Sequence, residues 1–508
     1  MKYKFKTRPY RHQVAALRKL IKNGYGGALL MEPRTGKTKV AIDYLSMLSQ
    51  AGKIDRAVVV CPSRVMDVWV DQLHLHCPRR FVAIVWDKEE RRRGIPRASS
   101  RDDLTILLVN YEAFAVPGPK LRSGRRSKRA GRFKTRDHLM RWVSAGRCAI
   151  VLDESHKIKS PSGKTSNMIV GMGSKFTYRL IMTGTPVTKA KRAFDVYMQW
   201  KFLNPARFAD LPTVGEFKEH FGRWTNQNGF PQFLRHRNIA ELRQRIHRDS
   251  YAVRRDECMD LPPREDRVVL VPLAASSSLY DELAENMVAE IETLKSMKGE
   301  AGQTTQMTRR RELMREIHVV EASIKLTLTL RLSQITGGCA TTDEGRVIRV
   351  GSEKITALRE VLDHLFECDE KVVVGARFKP DLSACERLGR ELDVPTFRLS
   401  GGVSRENSTR HIREFQSVDG PALFVAQPSA GSLGIDLSAS SHMVWYSLTP
   451  SWTDFTQMND RIALSRRSTT FTYLIAEKTV DQVMYDVLME DGEMHQTIIE
   501  RPDLLLRS

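Results

Sequence analysis

The chain has no apolar run approaching the roughly 20 residues that a membrane-spanning helix needs. Its first residues, MKYKFKTRPYRHQ, hold no apolar stretch of the kind a secretory leader carries. Cysteine is sparse and unpatterned: Cys61, Cys77, Cys148, Cys258, Cys339, Cys368 and Cys385 are scattered, with no C-x-x-C pair. That spacing excludes a disulfide framework or a zinc ribbon and fits a reducing compartment. Acidic residues are in deficit, with 60 Asp and Glu against 81 Lys and Arg and a net charge of +21. An excess of that size favours a polyanionic partner, either nucleic acid or an anionic membrane surface. With no span and no leader, a cytosolic chain that faces nucleic acid is the natural class.

What is present is enough to fold. At 508 residues, 41% hydrophobic and 28% charged, the composition is that of globular protein, and the length calls for two large domains. Short apolar runs alternate with longer helix-like stretches in two regions. In the first they are 27–30, 57–60, 104–109, 148–152 and 180–182; in the second, 371–374, 396–399, 422–426, 442–446 and 470–475. Continuous apolar runs with helices between them predict parallel sheets covered on both faces. The expected organisation is therefore α/β: a first lobe over 1–262, with a helical protrusion near 188–261, and a second over 263–508, with a helical insertion near 276–332. Leu261-Pro262-Pro263 is the expected linker. In the insertion Leu279, Leu283, Met287 and Ile291 keep helical spacing and read as core.

One stretch cannot bury a core. Residues 117–136 hold Lys120, Arg122, Arg125, Arg126, Lys128, Arg129, Arg132, Lys134 and Arg136 and no acidic residue among several Gly and Ser. It reads as a loop or arm suited to gripping phosphates. Arg91-Arg92-Arg93 is a shorter patch of the same kind.

The chemistry concentrates at two places. Ala28-Leu29-Leu30 runs into Met31-Glu32-Pro33-Arg34-Thr35-Gly36-Lys37-Thr38, and Val40-Ala41-Ile42 continues as a helix. Backbone N–H groups at such a helix start can hold phosphate oxygens, Lys37 can reach the β and γ phosphates, and the Thr38 hydroxyl suits Mg²⁺. The general phosphate loop has Gly where this chain has Met31. Further on, the strand Ala149-Ile150-Val151-Leu152 ends in Asp153-Glu154-Ser155-His156. A carboxylate at the end of such a strand can hold Mg²⁺, and its neighbour can polarise the attacking water.

These motifs, in this order, resemble the superfamily-two helicase motors, and within them the SWI/SNF-type DNA translocases. Tyr10-Arg11-His12-Gln13 resembles the adenine-reading segment, VVVCPSRVMDVWVDQL the motif that ends in a Trp and a helix, and Asn110-Tyr111-Glu112 the TYE element. DESHKIKS resembles the DEAH-type box, MTGTPV with Thr183, Gly184 and Thr185 the coupling motif, and Phe202-Leu203-Asn204-Pro205 the FLxP that follows it. In the second half Arg254-Arg255 before Leu261-Pro262, Leu399-Ser400-Gly401 with Arg410 and Phe415, residues 430–437, Gln457 to Arg461, and Glu477-Lys478-Thr479-Val480-Asp481 complete the series. The likeness covers nearly the whole chain.

The resemblance implies two RecA-like lobes with helical insertions, using ATP and Mg²⁺. It implies nucleotide contacts at Gln13, Arg34, Thr35, Gly36, Lys37, Thr38, Gly434, Asp436 and Gln457, metal at Thr38 and Asp153, and catalysis by Lys37, Asp153, Glu154 and Arg461 or Arg466. Nucleic-acid contacts fall on Ser63, Arg64 and Tyr111 in the first lobe and Arg377, Ser429 and Gly431 in the second, with Lys120, Arg125, Arg126 and Arg129 of the basic run adding grip. Two departures stand out. Arg34 occupies a family glycine position and must either take a less favoured backbone angle or reshape the loop. At the arginine finger Leu464 replaces the second Arg, so either Arg461 works alone or Arg466 or Arg467 reaches in.

The implied activity is ATP-driven translocation along duplex or branched DNA, largely independent of sequence, that remodels forks and junctions or displaces bound protein. The alternatives are a strand-separating helicase on DNA or RNA and a DNA-binding scaffold with little turnover. A chain with so little room for accessory modules points to the cytosol of a bacterium or a phage-infected host, on or near the nucleoid.

Overall fold

The structure is a computed structural model. It describes residues 3–86, 95, 103–114, 134–184, 193–227, 230–255, 257–258, 263–285, 327–341, 346–431, 435–462 and 467–490. The chain divides into two compact units, one of residues 1–225 with 232–260 and the other of 261–508 with 226–231.

The first unit is built on seven parallel strands in the order β3-β4-β2-β5-β6-β1-β9. These are β1 (Gly26–Met31), β2 (Arg56–Cys61), β3 (Phe81–Val85), β4 (Leu104–Asn110), β5 (Cys148–Asp153), β6 (Tyr178–Met182) and β9 (Ser250–Val253). Side chains alternate between the two faces of a strand, and here both faces are covered. Val58, Val60, Ile150 and Leu152 enter one core while Ala57, Val59, Ala149 and Val151 enter the other. That is why these strands read as unbroken apolar runs. Helices α1 (Arg11–Asn23), α2 (Lys37–Gln50) and α3 (Met66–His76) are the segments that bear on the site.

The second unit repeats the plan with six parallel strands, β10-β17-β16-β13-β15-β14. They are β10 (Arg264–Val271), β13 (Lys371–Gly375), β14 (Thr396–Leu399), β15 (Ala422–Ala426), β16 (His442–Trp445) and β17 (Thr469–Ala476). Val373, Phe424 and Trp445 face one core, and Val372, Val374, Leu423 and Val444 the other. Both units are parallel α/β sheets, as the alternating runs require. Among the described residues no helix is long and apolar enough to cross a membrane.

Several elements differ from expectation. The stretch near 188–261 is not wholly helical: it holds the antiparallel hairpin β7 (Gly222–Gln227) and β8 (Phe230–His236), and then β9, which joins the main sheet beside β1. Trp224 of β7 and Phe233 and His236 of β8 pack their rings against Phe194, a tertiary cluster with no periodic trace in sequence. Strand β10 was unforeseen because its residues are mostly exposed and charged at the sheet edge. A small hairpin, β11 (Cys339–Thr341) with β12 (Val347–Arg349), was also unforeseen. Of the basic run, residues 117–133 lie outside the described residues, whereas Lys134 already begins the helix Lys134–Ser144. The patch Arg91-Arg92-Arg93 and most of the insertion, including Met287 and Ile291, also lie outside them.

The second core holds one acid with consequences for stability. Asp381 is 1% exposed, and its Oδ2 accepts a 2.7 Å hydrogen bond from Ser447 Oγ. Burial pushes its carboxyl up to about 7. An unfolded carboxyl releases its proton near pH ~3.9, so between there and about 7 the native chain binds the extra proton. Stability from this group therefore falls as pH rises through that window. Asp381→Asn keeps an acceptor for Ser447 and removes the titration. The melting temperature of the variant minus that of the wild type is expected to climb from pH 4 to pH 7 by at least ~3 °C and then level off, as read by thermal unfolding.

Candidate functional site

The loop after β1 is held by three constraints. Gly36 is in the left-handed region with φ 87°, and a Cβ there would stand 2.2 Å from Gln13 Nε2. Only glycine fits. Arg34 takes a positive φ of 68°, so the loop keeps its shape and the residue bears the less favoured angle. The Thr35 carbonyl accepts from His12 Nε2 at 2.8 Å and from Gln13 Nε2 at 3.2 Å, which ties the loop to the first turn of α1. Thr35 Oγ1 donates back to the Glu32 carbonyl at 2.8 Å. Lys37, the first residue of α2, donates from Nζ to the carbonyls of Met31 at 2.7 Å and Glu32 at 3.1 Å. Thr38 follows it in the first turn of α2.

On the far side β9 closes the loop. Glu32 N donates to the Val253 carbonyl at 3.2 Å, and Arg255 N donates to Glu32 Oε2 at 3.0 Å. Glu32 was not among the expected site residues, and neither was His12. His12 adjoins Gln13 at the start of α1, so its proximity to the loop was a weak local signal. The contact between Glu32 and Arg255 joins residues 223 apart and had none.

The acid pair stands at the end of β5, one strand across from β1, with β6 between them. Asp153 is 7% exposed. Burial and then the neighbouring Glu154 raise its carboxyl to about 6, opposed by the Trp69 hydrogen bond and the charge of Lys37. Lysine and carboxylate thus share one electrostatic site. Trp69 Nε1 donates to Asp153 Oδ2 at 2.9 Å, and the Tyr111 hydroxyl donates to the Asp153 carbonyl at 2.8 Å. Glu154 adopts φ 58°, which turns the chain sharply out of the strand. His156 Nδ1 lies 3.2 Å from both Glu154 Oε2 and Thr183 Oγ1, joining the acid pair to the end of β6. Gly184, next in line, packs so close to Pro33 that a Cβ would stand 2.8 Å from its Cδ. Phosphate loop, acid pair and β6 terminus therefore meet at the C-terminal edge of one parallel sheet, where α/β folds place their ligand sites.

Oxygen donors at this edge suit a hard cation. Thr38 supplies a hydroxyl and Asp153 a buried carboxylate whose ionised form is disfavoured by its surroundings. Mg²⁺ requires no more than one or two such protein ligands beside phosphate. Among the described residues no cluster of three or more His, Cys, Asp or Glu could hold a metal by itself. The donor set fits a nucleotide-bound Mg²⁺.

The remaining expected residues sort by position. Ser63 is exposed in the turn Ser63–Val65 after β2; the Arg64 side chain lies outside the described part. Tyr111 is 4% exposed and packs in the core of the first unit, with its hydroxyl donating to the Asp153 carbonyl. In the second unit Arg377 and the helical turn Pro428–Gly431, with exposed Ser429, follow β13 and β15, which are paired neighbours. Arg377 is half-buried and stacks on the Phe378 ring at 4.8 Å. Gln427 Nε2 donates to its carbonyl at 3.2 Å. Asp436 is exposed and Gln457 buried. Arg461 is 6% exposed and donates to the Ile435 carbonyl at 3.4 Å. Arg467 pairs with Glu370 at 2.9 Å, just ahead of β17 and β13, at the sheet edge opposite Arg377. Lys120, Arg125, Arg126, Arg129, Thr185, Gly434, Leu464 and Arg466 lie outside the described residues.

The loop geometry separates two glycine positions. Gly36→Ala is expected to weaken nucleotide binding at least about tenfold, since its methyl meets Gln13. Arg34→Gly, which relieves a positive φ, should leave affinity within about twofold. Titration with a fluorescent ATP analogue reads both.

The SNF2-related domain family matches residues 10–319, and the helicase conserved C-terminal domain matches residues 353–464. The mouse "SWI/SNF-related matrix-associated actin-dependent regulator of chromatin subfamily A containing DEAD/H box 1" is 22% identical over 528 residues, covering 95% of this chain and 49% of its own. The "Putative ATP-dependent helicase/translocase YwqA" of Bacillus subtilis (strain 168) is 21% identical over 456 residues, covering 87% and 43%. The chain spans just under half the length of these relatives. Among solved structures, a Sulfolobus solfataricus SWI2/SNF2 ATPase core in complex with dsDNA aligns over 99% of this chain and 95% of its own, at 19% identity and TM-score 0.40. The SNF2-related match spans more than half of the chain and contains both the phosphate loop and the acid pair: the chain belongs to the SNF2-related family.

Proposed function

We propose that this chain is a DNA-stimulated ATPase that converts ATP hydrolysis into movement along duplex DNA. The observation that carries the reading is the meeting of Lys37, Asp153 and Glu154 at one edge of the first sheet, inside the SNF2-related match. In this reading a phosphate oxygen takes over a donor that Lys37 Nζ now gives to the Met31 and Glu32 carbonyls. Backbone N–H groups at the start of α2 hold the remaining phosphate oxygens. Thr38 and Asp153 would hold Mg²⁺, which neutralises charge on the β and γ phosphates. Glu154 accepts a proton from the attacking water, with His156 Nδ1 3.2 Å from its Oε2 and 3.2 Å from Thr183 Oγ1.

Duplex DNA as the track is supported by family membership, by the net charge of +21, and by exposed Ser63 and Ser429 at strand ends. Arg64, Arg377, Gly431 and the basic residues Lys120, Arg125, Arg126 and Arg129 supply the rest of the proposed grip, which is to phosphates and hence tolerant of sequence. YwqA is named a helicase/translocase, which agrees with a motor but leaves strand separation open. Remodelling of forks and junctions is the finer form of the proposal, and a cytosolic, nucleoid-associated setting belongs to the same reading.

ATPase rates across blunt duplex, single-stranded, forked and four-way DNA test it. Duplex is expected to raise the rate at least about tenfold, and branched DNA further. Lys37→Ala and Glu154→Gln should each lower turnover by about 10² or more. Stimulation only by single strands or RNA would favour a strand-separating helicase, and unchanged rates in both variants would leave a DNA-binding scaffold. Arg461→Ala and Arg466→Ala separate the two finger candidates: the acting residue loses about 10³ in kcat.

A further inference from the structure

Asp153 is held from two directions by residues of the segments that follow β2 and β4. Strand β2 lies between β4 and β5, with Cys61 level with Asn110 and Val60 level with Leu152. The chain therefore leaves all three strands at neighbouring points on one edge. After β2 it makes the exposed turn at Ser63 and enters α3, where Trp69, 0% exposed, donates to Asp153 Oδ2 at 2.9 Å. After β4 it enters the turn Tyr111–Phe114, and the Tyr111 hydroxyl donates to the Asp153 carbonyl at 2.8 Å. Among the described residues Trp69 is the one side chain that donates to this carboxylate. An indole can only donate and a main-chain carbonyl can only accept, so neither contact can reverse its polarity.

We propose that Trp69 and Tyr111 are positioning residues that link DNA held at the 62–65 turn to the metal-side carboxylate Asp153. The proposal rests on the DNA-stimulated ATPase reading and adds the route of the stimulation. A phosphate bound at Ser63 sits on the lead-in to α3, and a shift of that turn moves Trp69. Tyr111 fixes the backbone of the same residue. The two contacts meet on Asp153, one at its side chain and one at its backbone, so the carboxylate orientation that suits Mg²⁺ and the turn position that suits DNA favour each other. Linkage of this kind is reciprocal.

The test uses the full chain. Affinity for a fluorescent ADP is measured as a function of Mg²⁺, with and without a short blunt duplex, and duplex affinity is measured with and without Mg²⁺-ADP. In the wild type each ligand should tighten the other by the same factor, about tenfold. Trp69→Phe keeps an aromatic ring, though a smaller one, and removes the donor; Tyr111→Phe removes one hydroxyl. Each is expected to cut the factor to about twofold or less. If Trp69→Phe lowers the thermal midpoint, Tyr111→Phe, the smaller change, decides. Coupling that persists in the folded variants overturns the inference, as does its absence in a wild type that duplex still stimulates. Weaker duplex binding by Tyr111→Phe without nucleotide would make Tyr111 a DNA contact, which also overturns it. A wild type whose ATPase does not respond to duplex removes the functional reading itself, a separate result.

Discussion

A carboxylate at the end of a fully covered strand cannot stay ionised unless donors or a cation stand beside it. Asp153 is in that position, and much of the first unit is arranged around it. Its burial raises its proton affinity, and Glu154 one residue on adds to the rise. The indole of Trp69, the positive charge of Lys37 and the turn forced by Glu154's left-handed backbone work the other way or aim the pair outward. To bring those groups to one point, β2, β4 and β5 must lie side by side in register. The parallel sheet is thus what lets residues 84 apart, Trp69 and Asp153, share a hydrogen bond.

The phosphate loop obeys a second constraint, which is steric. Space between the loop and α1 is so small that a methyl at Gly36 would overlap the Gln13 amide. The same closeness lets His12 and Gln13 both donate to the Thr35 carbonyl. A backbone carbonyl that accepts two donors is fixed in direction, and so are the N–H groups that follow it into α2. Arg34 shows how much the surroundings set this shape: a non-glycine residue bears a left-handed angle where glycine would carry no strain. Such strain persists only where the neighbouring structure over-determines the backbone.

In the second unit the polar residues that the family pattern singles out divide: Gln457 and Arg461 are buried, whereas Ser429 and Asp436 are exposed. Arg461 reaches the Ile435 carbonyl and Arg377 lies along Phe378. Arg467, an alternative when only spacing is considered, pairs with Glu370 at the opposite edge of the sheet. A strand separates those edges, and Arg467 precedes β17 whereas Arg377 follows β13. Distance along the chain gives no hint of this, because polarity relative to a strand decides it.

Local chemistry was enough to locate what is local. Apolar runs marked the central strands because covered parallel strands carry no polar face, and the loop from Gly36 to Thr38 is contiguous, so its likeness to a phosphate loop is legible from residue order alone. The edge strands β9 and β10, the hairpins and the aromatic cluster under Phe194 were not legible, since exposed or cross-packed residues keep no period. At the acid pair the sequence by itself determined that two carboxylates end a buried strand. Only the tertiary structure decided that Trp69 and Tyr111 hold the first of them, and that Tyr111 belongs to the core. The physical reason is that a hydrogen bond depends on which strands are neighbours, and neighbours in a parallel sheet are joined by crossovers of unrelated length.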